Sequence, residues 1–352
     1  MIFQLIVIVL AVLGYLVRVP AAWVERFYTR GVYAWLQPVL TGVSNRVPFA
    51  LLDVLVVAGA ALLIVGAVQA GARALRGSAW RATGRFLLNL LAGAAAVYLA
   101  FLGAWGLNYQ RQPLAERLAF DAGAAGHDAV VRLSRNVVIQ LNQLHDRAHR
   151  EGFPDWARLR PVMDPAFHAT QGLLAPGVRP RTGVAKGTLL GYYFERAGVS
   201  GMTDPFLLEV LVDRNLLPFE RPFVLAHEWA HLAGYADEAE ANFVGWLTCV
   251  NGAAPAAYSG WLYLYAEVMA ALPREERLSL LHALAAGPRA DLAAVVERAR
   301  RIQPLLQSVS WRVYDRYLRA NRVGEGIASY DRALVLVLGS RFVNGWTPVL
   351  KK

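Results

Sequence analysis

The chain has 352 residues, of which 56% are hydrophobic and only 18% are charged, and its net charge is +10. This composition is too apolar for an ordinary soluble protein and indicates a membrane protein. No nucleic-acid-binding module is apparent, so membrane topology and attraction to anionic lipid explain the basic charge better than a nucleic-acid partner. The single cysteine, Cys249, excludes an internal disulfide framework.

Three apolar segments at the start of the chain predict transmembrane helices, at about residues 2–19, 49–72 and 86–107. Each approaches the ~20 residues that cross a bilayer core. The loop between the second and third segments has no acidic residue and four arginines: Arg73, Arg76, Arg81 and Arg85. The three segments predict a multi-pass protein of the cell membrane. Because arginine-rich loops stay in the cytoplasm, this loop is expected on the cytoplasmic side. Residues 108–352 are then expected outside the cytoplasm.

The segment between the first two spans is rich in aromatic side chains, namely Trp23, Phe27, Tyr28, Tyr33 and Trp35. Aromatic rings of this kind favour the membrane–water interface. The segment is therefore expected to form a short helix that lies along the membrane surface.

Residues 108–352 are enough for one sizeable domain of α+β class, mostly helical with a small sheet. The stretch from His127 to Arg150 has helical periodicity. Residues 206–213, "FLLEVLVD", are compact and β-branched and predict a strand. After Arg221 the pattern is almost entirely helical.

The chemistry is concentrated in "PFVLAHEWAHLAGYADEAEANF", where His227, Glu228 and His231 form the motif H-E-x-x-H. On a helix, residues four apart share a face, so both imidazoles can bind one metal ion. Glu228 then lies where it can take a proton from a metal-bound water. Two nitrogen ligands suit Zn²⁺, and a catalytic zinc site keeps one position open for water.

Three acidic residues compete for the third ligand position: Asp237, Glu238 and Glu240. Asp237 completes a metzincin-like H-E-x-x-H-x-x-G-x-x-D pattern. Such enzymes also need a methionine in a turn beneath the site, and the only methionine downstream, Met269, stands in a helical stretch. Asp237 also fits the N-cap position of a helix, with Glu240 three residues later. In that arrangement both carboxylates would accept hydrogen bonds from backbone N–H groups instead of binding a metal.

"HEWAH" followed by "EAEAN" resembles the gluzincin pattern of zinc peptidases, in which E-x-x-x-D on a second helix supplies the third ligand. The resemblance implies a zincin-like fold with Glu238 as that ligand. It also implies that Asn242, where gluzincins usually have aspartate, buttresses a ligand histidine. Together with the three spans and the late "VYDRYLRANRVGEGIASYDRA", the motif is similar to an uncharacterised bacterial membrane family described only as candidate zinc peptidases.

Two further roles follow from the same resemblance. Tyr330 is expected to donate a hydrogen bond to the developing oxyanion, with Tyr314 and Tyr317 as competitors. A strand before the metal-binding helix is expected to pair with an extended peptide substrate. The strand proposed for this role contains Leu207, Glu209, Val210 and Val212.

The remaining histidines show no partner pattern in the sequence and are expected to be surface or core residues: His127, His145, His149, His168 and His282. The function that the sequence favours is a membrane-anchored zinc peptidase with Glu228 as general base. The alternative is a non-catalytic, membrane-anchored zinc sensor or scaffold. An intramembrane protease is disfavoured, because Asp213, Arg214, Glu220 and Arg221 lie just before the motif.

Overall fold

The structure is a computed structural model, and its description covers residues 1–321 and 332–351. The chain is mostly helical, with two small sheets. Four helices precede the domain: α1 at Ile2–Leu16, α2 at Ala21–Ser44, α3 at Leu51–Arg76 and α4 at Ala79–Ala104. By length and composition, α3 and α4 are candidate membrane spans.

The first predicted span differs from the structure. Helix α1 has 15 residues, which at 1.5 Å per residue cover about 22 Å, less than the ~30 Å of a bilayer core. The chain then turns by 113° into α2, so that α1 and α2 together form a bent pair. The described residues therefore contain two candidate spans, or three if this pair counts as one.

The arginine-rich loop is also shorter than predicted. Helix α3 continues through Arg76 and α4 begins at Ala79, which leaves only Gly77 and Ser78 between them. Helical hydrogen bonds do not require apolar side chains, so both helices extend beyond the segments that hydropathy marks as spans. Arg73, for example, bonds to Gln69 one turn earlier, at 3.2 Å.

Helix α2 packs directly on the domain. Tyr33 donates a hydrogen bond to the carbonyl of Leu232 at 2.8 Å, and Thr41 donates one to Leu208 at 2.8 Å. The aromatic residues of this helix consequently divide between two faces. Tyr28 and Tyr33 are buried, whereas Trp23, Phe27 and Trp35 are exposed.

The domain contains ten helices of at least seven residues within the described ranges. They are α5 His127–Glu151, α6 Trp156–Leu174, α7 Gly191–Ala197, α8 Arg221–Leu232, α9 Glu238–Val250, α10 Ala254–Ala271, α11 Arg274–Ala283, α12 Ala286–Ala299, α13 Pro304–Ala320 and α14 Arg332–Gly339. A 3₁₀ turn at Gly106–Gln110, a one-turn helix at Leu114–Arg117 and a 3₁₀ turn at Ala122–Ala124 lead into α5. The predicted helix from His127 is confirmed.

Helix α9 lies at the centre of the core, and all its residues from Glu238 to Cys249 are buried. It packs against α8 on one side and α10 on another, where Trp246 meets Trp261 edge-on. Helix α8 comes very close at Gly245, where an added Cβ would lie 3.0 Å from the backbone nitrogen of His227. The glycine therefore allows the two helices that carry the motif to approach each other.

Two small sheets complete the fold. The first has the order β1–β3–β2, with β1 at Ala185–Lys186, β2 at Gly201–Thr203 and β3 at Val210–Val212. Strand β1 is parallel to β3, and β2 is antiparallel to it, with Met202 opposite Leu211. The second is a hairpin of β4, Phe342–Val343, and β5, Thr347–Pro348.

The predicted substrate-pairing strand is shortened to β3 and has no free edge. The side chain of Asp204 accepts hydrogen bonds from the backbone N–H groups of Phe206 and Leu207, and this turn keeps Leu207 and Glu209 out of the strand. Val210 and Val212 lie in the central strand, which pairs on both sides. Their backbone groups are therefore used inside the sheet.

Glu209 is buried and has a different role from the one predicted. Its carboxylate accepts hydrogen bonds from the backbone N–H groups of Leu51, at 3.1 Å, and Leu52, at 2.7 Å, at the start of α3. It also pairs with the buried ammonium of Lys186 at 2.8 Å. Glu209 thus caps a candidate membrane span, where a negative charge is favourable near the helix N-terminus.

Candidate metal centre

Helix α8 has a proline near its start and a glycine after its end. Pro222 lies in its first turn, where the missing N–H of proline costs no hydrogen bond. Gly234 has a φ of +84°, and the following N–H, of Tyr235, bonds to the carbonyl of Ala230 at 3.1 Å. This left-handed glycine ends the helix directly after the second histidine of the motif.

Helix α9 is capped by Asp237, as predicted. The carboxylate of Asp237 accepts hydrogen bonds from the backbone N–H groups of Ala239, at 3.0 Å, and Glu240, at 3.2 Å. Glu240 is also occupied by a backbone donor, but that donor is the N–H of Leu114. Both carboxylates therefore point away from the histidines, and Glu238 is left to face them.

Three ligand atoms converge between α8 and α9. The Nε2 atoms of His227 and His231 are 3.1 Å apart. Glu238 Oε2 lies 3.4 Å from His227 Nε2 and 3.5 Å from His231 Nε2. These residues form one of the groups in the described chain that could hold a metal ion. Of the three competing acidic residues, the structure brings Glu238 to the histidine pair.

A backbone carbonyl orients the second histidine. His231 Nδ1 lies 2.8 Å from the carbonyl oxygen of Tyr235, so Nδ1 donates its proton to this oxygen and Nε2 is the ring nitrogen that faces Glu238. The role predicted for Asn242 is therefore taken by Tyr235 at this histidine. Asn242 is buried, and within the described residues the Nδ1 of His227 has no hydrogen-bond partner.

The charges of these groups reinforce one another. Burial tends to raise the pKa of Glu238, but the neighbouring imidazoles of His231 and His227 hold it well below its ordinary value. Burial tends to lower the pKa of His231, but the carboxylates of Glu238 and Glu228 and the bond to Tyr235 raise it to about 9. Glu238 is thus ionised at neutral pH, as a carboxylate ligand must be.

Glu228 is buried beside strand β2. Thr203 Oγ1 lies 2.9 Å from Glu228 Oε2 and 3.0 Å from the backbone oxygen of Glu228. Burial raises the pKa of Glu228, and the two histidines and the bond from Thr203 only partly counteract this. A carboxylate with a raised pKa is a better proton acceptor near neutral pH.

Gly201 makes room for this carboxylate. A Cβ added at Gly201 would lie only 2.6 Å from Glu228 Oε1. No sequence pattern predicts a role for Gly201 or Thr203. An isolated glycine next to a short strand is the one available signal, since it indicates a close approach of another group to the backbone.

Among the tyrosines considered for the oxyanion, Tyr314 contacts a candidate metal ligand. Its hydroxyl, on α13, donates a hydrogen bond to Glu238 Oε1. Tyr317, one turn further on, is half-buried and hydrogen-bonds to Tyr109, and its partial burial raises its pKa to about 12. Tyr330, the first choice from the sequence, lies outside the described residues.

Residues in and next to the N-terminal helices hold the end of α8. Tyr33 of α2 bonds to the carbonyl of Leu232, and Trp105, directly after α4, bonds to the carbonyl of His231 at 2.9 Å. Arg111 bonds to the carbonyl of Gly234 at 2.8 Å, and Glu25 of α2 pairs with that arginine at 3.1 Å. The metal-binding helix is therefore anchored to the segments that lead out of the candidate spans.

A family model described as "Protein of unknown function (DUF3810)" matches residues 28–338. The match includes α8, α9 and most of the residues from the N-terminal part of the chain that contact the end of α8. No curated protein and no solved structure matches the chain.

Proposed function

We propose that this chain, which belongs to the DUF3810 family, is a membrane-anchored, zinc-dependent peptidase with a zincin-like, gluzincin-type site. The observation that carries the proposal is the convergence of His227 Nε2, His231 Nε2 and Glu238 Oε2, at 3.1 to 3.5 Å from one another. Glu228, the candidate base, is buried and lies on α8 between the two histidines.

The donor atoms fit a zinc ion. Four ligands at about 2.05 Å in a regular tetrahedron are about 3.3 Å apart, close to the three distances observed. Glu238 Oε2 is buried and, within the described residues, lacks a hydrogen-bond partner. A cation bound by these three groups would remove this unfavourable burial, and two nitrogens with one oxygen match the ligand set of known zinc peptidase sites.

Peptide hydrolysis needs a base beside the water that attacks the carbonyl. When bound, a zinc ion supplies Lewis-acid chemistry, which makes that water more acidic and polarises the scissile carbonyl. Glu228 is placed to accept the proton and later to pass it to the leaving amine. The hydrogen bond from Thr203 and the space left by Gly201 fix the orientation of the Glu228 carboxylate.

Strand β2 is the better candidate for substrate pairing than β3. It is an edge strand of the sheet, whereas β3 is central, and Thr203 of β2 contacts Glu228 directly. An extended peptide could add to the free edge of β2 through backbone hydrogen bonds. Its scissile carbonyl would then lie next to the candidate base.

The substrate is proposed to be a peptide or protein segment near the membrane surface. The end of α8 contacts Tyr33 and Trp105, which belong to the membrane-proximal part of the chain. The arginines on either side of Gly77 support an orientation in which the turn between α3 and α4 faces the cytoplasm. The site would then act on segments on the opposite face of the bilayer.

Metal analysis and peptide-library cleavage on the purified full-length protein test this proposal. Wild type should bind zinc at this site and cleave peptides. Glu228→Gln should keep the zinc and lower kcat by about 100- to 10,000-fold, because only proton transfer is removed. His227→Ala should lose this zinc. Glu275→Gln, at an exposed position on α11, is the matched control and should behave as wild type.

Two outcomes would reject the catalytic proposal. One is cleavage by Glu228→Gln at the wild-type rate. The other is a wild-type protein that holds zinc through His227 yet cleaves no member of the library, a result that would favour the alternative of a zinc sensor or scaffold.

A further inference from the structure

A second cluster of metal-ligating side chains lies outside the candidate metal centre. His145 and His149 are four residues apart on α5, and Asp291 reaches them from α12. One ligand atom from each residue lies within 4.8 Å of the other two. The sequence shows no partner pattern for these two histidines because Asp291 lies 142 positions beyond His149 in the chain.

One carboxylate oxygen faces both imidazoles. Asp291 Oδ2 is 2.9 Å from His149 Nε2 and 3.6 Å from His145 Nε2. The longer distance exceeds hydrogen-bonding range but suits two ligands of a single metal ion, which lie about 3.3 Å apart in a tetrahedron. The His145 and His149 rings are close, with centroids 4.3 Å apart.

The surrounding residues orient the three groups. Asp146 Oδ1 lies 2.9 Å from His145 Nδ1, so a proton on Nδ1 leaves the lone pair of Nε2 facing Asp291. The buried hydroxyl of Tyr258, on α10, donates to Asp291 Oδ2 at 2.6 Å. Carboxylate–histidine and hydroxyl–carboxylate contacts of this kind orient the ligands in many metal sites.

Helix α12 is shaped to receive the imidazole. A Cβ at Gly287 would lie 2.2 to 2.5 Å from three atoms of the His145 ring. The ring thus packs directly on the backbone of the first turn of α12. The site is also accessible, because the side chain of His149 is 39% exposed while that of Asp291 is 11% exposed.

We propose that His145, His149 and Asp291 form a second site for a divalent transition-metal ion, with Zn²⁺ as the best match to two imidazoles and one carboxylate. The ion would cross-link α5 to α12, and through Tyr258 it would connect both to α10, which packs on α9 in the core. The site does not depend on peptidase activity, and its role is structural.

Zinc titration of the full-length protein in detergent, after chelation and without an affinity tag, tests the proposal. In the His227→Ala variant, which removes a ligand of the first site, about one zinc ion per chain should still bind and raise the Tm. In His227→Ala/His149→Ala, neither zinc binding nor the rise in Tm should remain. His227→Ala/His127→Ala is the matched control, because His127 lies on the same helix but pairs with Glu276 at an exposed position. It should retain the second ion.

A variant that changes no ligand of the second site provides an independent measurement. His227→Ala/Gly287→Ala should displace the His145 ring and weaken zinc binding by at least about tenfold, since supporting residues contribute 10- to 100-fold to metal affinity. If His227→Ala bound no zinc while remaining folded, or if adding His149→Ala left its zinc content unchanged, the second site would not exist. The three residues would then form only a hydrogen-bonded network.

Discussion

The indole Nε1 of Trp105 donates a hydrogen bond to the backbone carbonyl of His231 at 2.9 Å, and the two rings meet edge to face with centroids 6.1 Å apart. Trp105 is the first residue after the candidate span α4, and His231 is the last residue of the H-E-x-x-H motif. The end of a candidate span therefore contacts a proposed metal ligand without any intervening element.

Trp105→Phe should weaken this connection and preserve most of the packing. We expect a loss of about 1 kcal/mol in the free energy of unfolding, the usual value of one hydrogen bond. The carbonyl of His231 keeps its bond from the N–H of Gly234 at 2.9 Å, so the loss should not be larger. Zinc affinity should fall by up to about tenfold, because His231 is less firmly held.

Thermal unfolding in detergent and zinc titration measure the two effects of Trp105→Phe. Trp80→Phe is the control, since Trp80 is 74% exposed at the other end of α4. Equal behaviour of the two variants would show that the bond from Trp105 to His231 does not support the site.

The identity of the third ligand can be decided by three single substitutions. Glu238→Ala should lower zinc affinity at the first site by orders of magnitude, because it removes a proposed ligand. Asp237→Ala should cost about 1 kcal/mol of stability through the lost N-cap and keep the zinc. Glu240→Gln should also keep the zinc, since Glu240 contacts the backbone of Leu114.

Zinc titrations of these three variants, each in a His149→Ala background, would measure only the first site. If Asp237→Ala emptied this site while Glu238→Ala left it filled, the gluzincin-type assignment would have to be abandoned.

Gly201→Ala should affect catalysis and leave metal binding intact. The new methyl group would lie 2.6 Å from Glu228 Oε1 and must push the carboxylate aside. A misplaced base lowers kcat by about 100-fold or more, while the three ligands are untouched. Gly191→Ala is the control, because a Cβ at Gly191 meets no other atom within 4 Å. Wild-type kcat for Gly201→Ala would place the base elsewhere.

The buried Asp204 should make stability depend on pH. Burial raises its pKa from 3.8 to about 6, an effect only partly offset by its hydrogen bonds from Phe206 and Leu207. Between about pH 4 and pH 6 the folded protein keeps a proton that the unfolded chain has lost. The contribution of Asp204 to stability is therefore fully present below pH 4 and is lost as pH rises through 6, by up to about 3 kcal/mol.

Asp204→Asn mimics the protonated side chain and should remove this component. The Tm of wild type, relative to that of the variant, should fall between pH 4 and pH 7, as followed by tryptophan fluorescence. The exposed Asp128 offers a control, and Asp128→Asn should keep the wild-type profile. Parallel profiles for wild type and Asp204→Asn would contradict the raised pKa.

Cysteine labelling can test the orientation in the membrane, because the only native cysteine, Cys249, is fully buried. Ser78→Cys lies in the exposed turn between α3 and α4, and Asp128→Cys lies on the exposed surface of α5. A membrane-impermeant maleimide added to intact cells should label Asp128→Cys and should label Ser78→Cys only after the membrane is opened. The reverse pattern would place the domain in the cytoplasm.

The local chemistry, and the local structure around it, can be predicted from the amino-acid sequence. The four-residue spacing of His227 and His231 fixes their common face once the segment is helical, and Pro222 and Gly234 mark where that helix begins and ends. The capping role of Asp237 was also predictable, since N-caps form through contacts within a few residues. The common face, the helix ends and the N-cap all depend on contacts between residues that are close together in the sequence.

Only the tertiary structure decided which distant groups meet. Thr203 reaches Glu228, Tyr314 reaches Glu238, and Asp291 reaches His149, and no periodicity in the sequence marks these pairs. For the same reason, the sequence predicts that Glu209 binds substrate, whereas in the structure Glu209 caps α3. Burial of a charged group requires a partner, but a sequence does not say from which part of the chain the partner comes. The contacts of β2 with α8, of α13 with α9 and of α12 with α5 supply that information.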